Sequence, residues 1–366
     1  MEKGLKRILF YLPSFHHGGA EGVMVDVANY LLEHDCEITF ALVKAEGLLL
    51  GELNSGINVI DLNLKSQWLA PLKLPFIIRK LNPDYVFSTM KESNFIAIFS
   101  RKVAFSKAKN IIREANTVTQ QIANESKWYQ KLKNKIIFYF YRYADHVVAL
   151  SKAMKKDLQT VVPSLSDERI TVIPNPVNIE KIQALAKQPI DQTELDLIKN
   201  RPLLLSVGRL YEQKNYDFLF DALALYRKQG NEFTFFALGE GPLRQELEAQ
   251  IKRLDLDDCC YLLGYRSNPF KYMKLADVFL LPSLYEGMSN SLIQAMALNM
   301  KVLVADSQET SVSLVVNYKK GMVYVQNDFK SFCFELEIAE SLKLSKVDKE
   351  PIFCNYYKYS FLFKAC

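Results

Sequence analysis

The chain is 366 residues long, with 49% hydrophobic and 24% charged residues. These are the proportions of a folded globular protein of one large domain or two, and they exclude a disordered or fibrous chain. Lysine and arginine number 46 against 41 aspartate and glutamate, and the resulting +5 is too mild to specify nucleic acid.

The predicted elements begin at once. Arg7 to Leu12 reads as a buried strand, and Val23, Val27, Tyr30 and Leu31 then recur at helical spacing opposite Asp26, Asn29 and Glu33, in a helix from Gly22. Glu37 to Val43 and Val59-Ile60 are further strands; Tyr85 to Ser88 follows the turn Asn82-Pro83-Asp84, and Asn110 to Arg113 and His146 to Leu150 add two more. The run ITVIPNPVN at 170–178 punctuates the chain with two prolines, and a polar stretch follows to about Asn200. The alternation then restarts: strands at Leu203 to Val207, Phe233 to Leu238, Cys260 to Leu263, Val278 to Leu281 and Lys301 to Ala305, with helices at Tyr216 to Gln229 and Leu243 to Leu254. Strands separated by helices imply parallel sheets. The fold class is therefore α/β, two Rossmann-like domains facing a cleft: residues 1–178, a linker at 179–200, a second domain at 201–330, and an atypical tail at 331–366 rich in Tyr and Phe.

The six cysteines, Cys36, Cys259, Cys260, Cys333, Cys354 and Cys366, form no CxxC pair and no zinc spacing, and read as buried or incidental thiols of a reducing compartment. The N-terminus runs straight into a strand too short and wrongly flanked for a signal peptide, and no stretch approaches the roughly 18 apolar residues of a spanning helix. The expectation is a cytoplasmic protein.

Four strand-to-helix turns are candidates for phosphate binding, because helix N-termini offer free N–H groups and glycine lets backbone approach a ligand. Gly18-Gly19-Ala20-Glu21 follows the first strand; Ser206 to Asn215, SVGRLYEQKN, carries Arg209 and Lys214; Leu281 to Asn290, LPSLYEGMSN, carries Glu286 with Gln294 eight positions on and Asn290 as a plausible cap; and Gly239-Glu240-Gly241 is a weaker Gly-x-Gly. Each has an ordinary reading as well: a tight turn, a solvated basic loop, or a capped helix. Arg209 can fork onto two phosphate oxygens while Lys214 adds a point charge. No GK[ST] and no complete GxGxxG occurs, which disfavours a dehydrogenase. Asp255 to Asp258, the DxD-like run, reads as a solvated face.

Taken together, GGAE at 18–21, IPNPVN at 173–178, SVGRLYEQKN at 206–215, LGEGPLR at 238–244 and LPSLYEGMSN at 281–290 resemble glycosyltransferase family 4, the retaining transferases of GT-B fold, over about residues 5–330. REANT at 113–117 resembles a variant of polysaccharide-building members, as in lipopolysaccharide or capsule synthesis. The resemblance implies a nucleotide-sugar donor, with a UDP-sugar as the default, held mainly by the second domain, and a glycan or lipid-linked acceptor held mainly by the first. Arg209 and Lys214 would stabilise the diphosphate, and Glu286 would meet donor sugar hydroxyls. Gly287, Met288 and Ser289 would offer N–H groups to the donor, with Gly208, Gly18 and Gly19 close by. Arg113, Glu114 and Asn116 would lie on the acceptor side. The chemistry implied needs neither protein nucleophile nor metal, and no cofactor.

The sequence departs from the family at Gln294, where a ribose-binding Glu is usual, at Ala115, where many relatives have His, and at 306–310, which lacks the usual glycines. A relative that binds a nucleotide sugar with lost or weakened catalysis is therefore the alternative reading. Residues 128–143 mix Trp128, three lysines, Arg142 and several aromatics. They suit either an interfacial helix at the inner face of a membrane or a helix whose Ile137, Phe140 and Tyr141 pack inward.

Overall fold

Runs such as Leu9 to Leu12, Val86-Phe87, Leu203 to Leu205 and Val302 to Ala305 are almost wholly inaccessible to solvent, which is how a parallel strand covered on both faces must look. A computed structural model describes residues 5–16, 18–123, 127–307, 309–344 and 355–365. The chain divides into two compact units, Met1–Pro176 with Cys354–Cys366, and Val177–Phe353.

The first unit runs β1 (Lys6–Leu12), α1 (Gly19–Leu32), β2 (Cys36–Leu42), β3 (Asn58–Asp61), α2 (Leu74–Leu81), β4 (Tyr85–Thr89), α3 (Lys91–Val103), β5 (Lys109–Arg113), α4 (Val118–Ala123), α5 (Trp128–Phe140), β6 (His146–Ala149), α6 (Lys152–Val161) and β7 (Ile170–Val172). Its sheet has the order β3-β2-β1-β4-β5-β6-β7, with parallel pairing throughout, Phe10 lying opposite both Phe40 and Phe87. One face packs on α1 through Phe10, Phe40, Val27 and Leu31, and the other on α2 and α3 through Leu9, Ile78 and Ile96.

The second unit runs α7 (Ile179–Leu185), α8 (Gln192–Leu195), β8 (Leu203–Val207), α9 (Tyr216–Lys228), β9 (Thr234–Leu238), α10 (Arg244–Arg253), β10 (Cys260–Gly264), α11 (Phe270–Leu275), β11 (Val278–Leu281), α12 (Asn290–Ala297), β12 (Lys301–Ala305), α13 (Glu309–Tyr318), β13 (Gly321–Tyr324) and α14 (Phe329–Ser341). Its parallel sheet has the order β10-β9-β8-β11-β12-β13. Each sheet reverses its winding once, between β1 and β4 and between β8 and β11, and such switch points open a crevice at the carboxyl ends of the strands.

Three stretches differ from the expectation. Residues 179–200 are part of the second unit rather than a free connector: Glu194 accepts from Arg266 Nη2 at 2.7 Å, and Asn268 donates to the Leu185 carbonyl at 2.8 Å. Past residue 330, Phe332, Cys333 and Leu336 of α14 enter the core with Phe218 and Tyr226 of α9. A last helix, α15 (Tyr356–Ala365), packs in the first unit, where Phe363 meets Tyr85 at 5.2 Å and Phe87 at 5.4 Å between ring centroids. The first helix starts at Gly19 rather than Gly22. Cys36, Cys259, Cys260 and Cys333 are buried, while Cys354 and Cys366 lie outside the described residues.

Candidate functional site

In the second unit the backbone hydrogen bonding continues past the strands. Gly208 N–H donates to the Leu238 carbonyl at 2.9 Å, Leu210 N–H to that of Glu240 at 3.0 Å, and Gly239 N–H to that of Gly264 at 2.9 Å. This close approach explains the Gly-x-Gly: a Cβ on Gly239, whose φ is +149°, would stand 1.9 Å from the Gly208 oxygen, and one on Gly241 would stand 2.2 Å from that of Leu210. The two glycines fasten the loop after β9 to the loop after β8.

A short turn at Glu212–Lys214 follows, ended by Asn215 in the left-handed region at φ 55°. It lays the Lys214 stem over Gly208, where a Cβ would come within 3.2 Å of Lys214 Cε. Lys214 Nζ then donates to Glu286 Oε1, which also accepts from Ser283 Oγ at 3.0 Å. Lys214 is 18% exposed and Glu286 10%. The loops that carry them are tied together: Leu284 N–H donates to the Gln213 carbonyl at 2.8 Å, and Gln213 Nε2 to the Tyr285 carbonyl at 2.8 Å. The pair thus spans β8 and β11, the two strands at the switch point of this sheet. Arg209 is exposed, with its guanidinium carbon 5.1 Å from the Tyr211 ring centroid, and it makes no ion pair among the described residues.

Gly287, Met288 and Ser289 are buried at the entry to α12. Ser289, not Asn290, is the cap: its Oγ accepts from Leu292 N–H at 3.4 Å while its backbone stays extended. Gln294 lies on α12, partly exposed. Beyond β12, Asp306 Oδ1 accepts from Gln326 N–H at 2.9 Å, so a side chain holds this glycine-free turn; Gln308 lies outside the described residues. In the DxD-like run, Asp258 is held by both guanidinium nitrogens of Arg227 rather than being only solvated. Among the described residues no group of three or more His, Cys, Asp or Glu is placed to share a metal ion.

In the first unit, Gly18 caps α1 with extended backbone and Gly19 opens the helix. A Cβ on Gly18 would stand 1.7 Å from Glu21 Oε2, so this glycine makes room for the carboxylate of the first turn. His17 lies outside the described residues. Arg113 ends β5 fully buried, with Nη1 donating to Thr89 Oγ1 at 2.9 Å and Nη2 to Asn175. Glu114 is buried beside it. Oε1 accepts from Ala115 N–H at 3.1 Å, Asn116 N–H at 3.2 Å and Gln121 Nε2 at 3.1 Å, and Oε2 from Tyr141 Oη at 2.6 Å. Burial raises the Glu114 carboxyl above the usual carboxylate range and lifts the Tyr141 phenol well above its own. Of the three residues expected on the acceptor side, only Asn116 is exposed; Arg113 and Glu114 face inward and hold the loop that carries it.

Ser283, Gln213 and Asn175 were not singled out from sequence, and Tyr141 was expected only as an inward-packing residue of 128–143. The first three sit within the quoted motifs, Gln213 in SVGRLYEQKN, Ser283 in LPSLYEGMSN and Asn175 in IPNPVN, where Asn178 also caps α7 by accepting from Lys181 N–H at 2.9 Å. On and just after α5 the expectation of inward packing holds in part. Ile137, Phe138 and Tyr141 pack inward and Phe140 is partly covered, its ring 4.8 Å from that of Phe95, while Trp128, Tyr129, Leu132, Ile136 and Tyr139 are exposed.

The family model described as Glycosyltransferase Family 4 matches residues 17–181, and the one described as Glycosyl transferases group 1 matches residues 187–349. An uncharacterized glycosyltransferase of Methanocaldococcus jannaschii is 30% identical over 277 residues, 71% of this chain and 67% of that protein. The N-acetylgalactosamine-N,N'-diacetylbacillosaminyl-diphospho-undecaprenol 4-alpha-N-acetylgalactosaminyltransferase of Campylobacter jejuni is 28% identical over 356 residues, 94% of this chain and 93% of that one. Among solved structures, HepE of Anabaena in complex with UDP and glucose superposes with a TM-score of 0.74 at 18% identity, covering 98% of this chain and 95% of that one.

Proposed function

Since the chain belongs to the group 1 glycosyltransferases of GT-B fold, we propose that it is a retaining transferase that moves a sugar from a UDP-sugar to a lipid-linked saccharide in bacterial surface-polysaccharide synthesis. The observation that carries this is the Lys214–Glu286 pair set across the β8/β11 switch point. It places a cation and a hydroxyl-binding carboxylate side by side, near the exposed guanidinium of Arg209. A nucleotide sugar presents this pairing of charges, a dianionic diphosphate joined to a polyol.

In this reading Arg209 and Lys214 hold the diphosphate and stabilise the charge that grows on it as the C1–oxygen bond breaks. The acceptor hydroxyl oxygen bonds to C1 on the same face, and its proton passes to the departing diphosphate. Glu286 accepts from sugar hydroxyls, the buried N–H groups of 287–289 meet the donor, and no metal ion or cofactor takes part. The UDP choice draws on HepE, whose structure holds UDP and glucose, and the lipid-linked acceptor on the name of the Campylobacter relative. The exposed aromatic and lysine face of α5 would rest on the inner leaflet of the plasma membrane, where such an acceptor lies.

Gln294 favours a second reading, donor binding with weakened catalysis, because a neutral amide accepts a ribose hydroxyl less strongly than a carboxylate. A panel of UDP-sugars tested for thermal stabilisation, followed by a transfer assay, decides between the two. Stabilisation with transfer supports the first, stabilisation without transfer or donor hydrolysis supports the second, and no stabilisation by any UDP-sugar refutes the donor site.

A further inference from the structure

A cavity of about 440 Å³ opens in the first unit at the carboxyl ends of β1 and β2, beside the loop that follows β3, and lies within the size range of ligand sites. Its floor is rigid. Past the ends of the strands, Val43 N–H donates to the Leu12 carbonyl at 3.2 Å, Lys44 N–H to that of Pro13 at 3.0 Å, and Leu64 N–H to that of Val43 at 3.0 Å. The rim turns tightly at Gly47, whose φ is +117° and where a Cβ would meet the Phe15 oxygen at 2.1 Å.

The lining combines three kinds of group. Lys44 and His16 share the carboxylate of Glu46, at 3.5 and 3.2 Å, and Lys65 adds an exposed cation with no ion pair among the described residues. The Trp68 ring, 44% exposed, is backed by Phe95 at 6.1 Å, and Lys133 Nζ stands 5.8 Å from its centroid. Gln67 completes the wall, its buried Oε1 meeting no donor among the described residues.

An aromatic plate suits the apolar face of a pyranose, and the two lining lysines, with Glu46 the one carboxylate among the lining residues and Lys133 paired to Glu92 at 3.5 Å, suit a negative substituent on that ring. A neutral sugar would leave Lys65 unanswered. We propose that this cavity binds an acidic saccharide, a sugar ring bearing a carboxylate or a phosphate, as the recognised part of the acceptor; the word acceptor rests on the transferase reading above, the binding does not.

The two tryptophans of the chain are Trp68 and Trp128, so in a Trp128→Phe background the indole emission comes from the cavity alone. That protein is titrated with glucuronic acid, with N-acetylglucosamine 1-phosphate and with neutral N-acetylglucosamine. UDP binding is measured separately by calorimetry. At least one acidic sugar is expected to change the emission saturably and to bind at least about tenfold tighter than the neutral sugar; Lys44→Ala with Lys65→Ala weakens it by about tenfold or more, and Lys44→Arg with Lys65→Arg retains it. Whichever acid binds identifies the substituent. Absence of a saturable response to both acids, or equal binding of the neutral sugar, or no loss in the folded double alanine variant, overturns the proposal. A protein that binds UDP normally but fails this titration disproves the cavity site alone, whereas one that passes it without binding UDP disproves the donor site alone.

Discussion

Replacing Lys214 by Met keeps the stem that covers Gly208 and removes the charge that meets Glu286. Both groups are less than one-fifth exposed, so the carboxylate left behind is poorly hydrated and retains the Ser283 hydroxyl at 3.0 Å. Stranding a fully buried partner costs roughly 3–5 kcal/mol; the remaining access to water at this site lowers the expectation to about 2 kcal/mol. Glu286→Gln strands the more exposed lysine, which can turn its ammonium toward solvent, at a cost of about 1 kcal/mol. If the two groups act mainly on each other, the double variant loses about 2 kcal/mol rather than about 3, a coupling near 1 kcal/mol. Both tryptophans lie in the first unit, so indole emission does not follow the second; scanning calorimetry with far-ultraviolet circular dichroism is the assay. Arg209→Ala is the contrast, because that side chain is exposed. It should leave stability within about 0.5 kcal/mol while weakening UDP by about tenfold or more. Additive losses at 214 and 286, or a loss at 209 as large as at 214, would refute the reasoning.

Gly239→Ala should cost about 3 kcal/mol or more, since it drives a Cβ to 1.9 Å from the Gly208 oxygen at a φ of +149°; calorimetry showing an unshifted second unit would contradict this. Glu114 gives a pH signature. Its folded pKa lies above the unfolded value near 4.5, so its contribution is fully present below that value and is lost as pH rises through the folded one. Relative to Glu114→Gln, the native chain should therefore lose stability from about pH 4.5 upward, and parallel urea midpoints across that range would exclude it. Gln294→Glu should bind UDP at least as tightly as the native protein, and a clear weakening by calorimetry would show that the side chain does not face the ribose.

Much of the framework was legible because parallel strands covered on both faces leave uninterrupted apolar runs. Leu203–Val207, Val278–Leu281 and Lys301–Ala305 were read to the residue. The strand Ile170–Val172 has three residues, one of them fully covered, and Gly321–Tyr324 opens on a glycine with partial burial; neither leaves a run to detect. The cap at Ser289 depended on the position of a side-chain oxygen, which the Asn290 amide could equally have supplied. The motif order marked Arg209, Lys214 and Glu286, but their relation was hidden. That Lys214 meets Glu286, 72 residues away, follows from β8 and β11 being neighbours, which only the sheet order reveals. The burial of Arg113 and Glu114 was not legible, because charged residues are seldom buried. Here the covering partners, Thr89, Asn175 and Tyr141, come from three separate stretches of chain.

The return of α15 to the first unit has a consequence for how the chain is made. Tyr359, Leu362 and Phe363 complete an aromatic core begun by Phe10 and Phe87, yet they are translated after every residue of the second unit. On the ribosome, the second unit has its whole sequence available while the first has α1 on that face of its sheet but still lacks the helix that meets Tyr85 and Phe87. The segment translated first is thus finished last. A stalled or clipped chain lacking the final helix would carry a complete second unit joined to a first unit with open apolar surface, a natural substrate for chaperones and proteases.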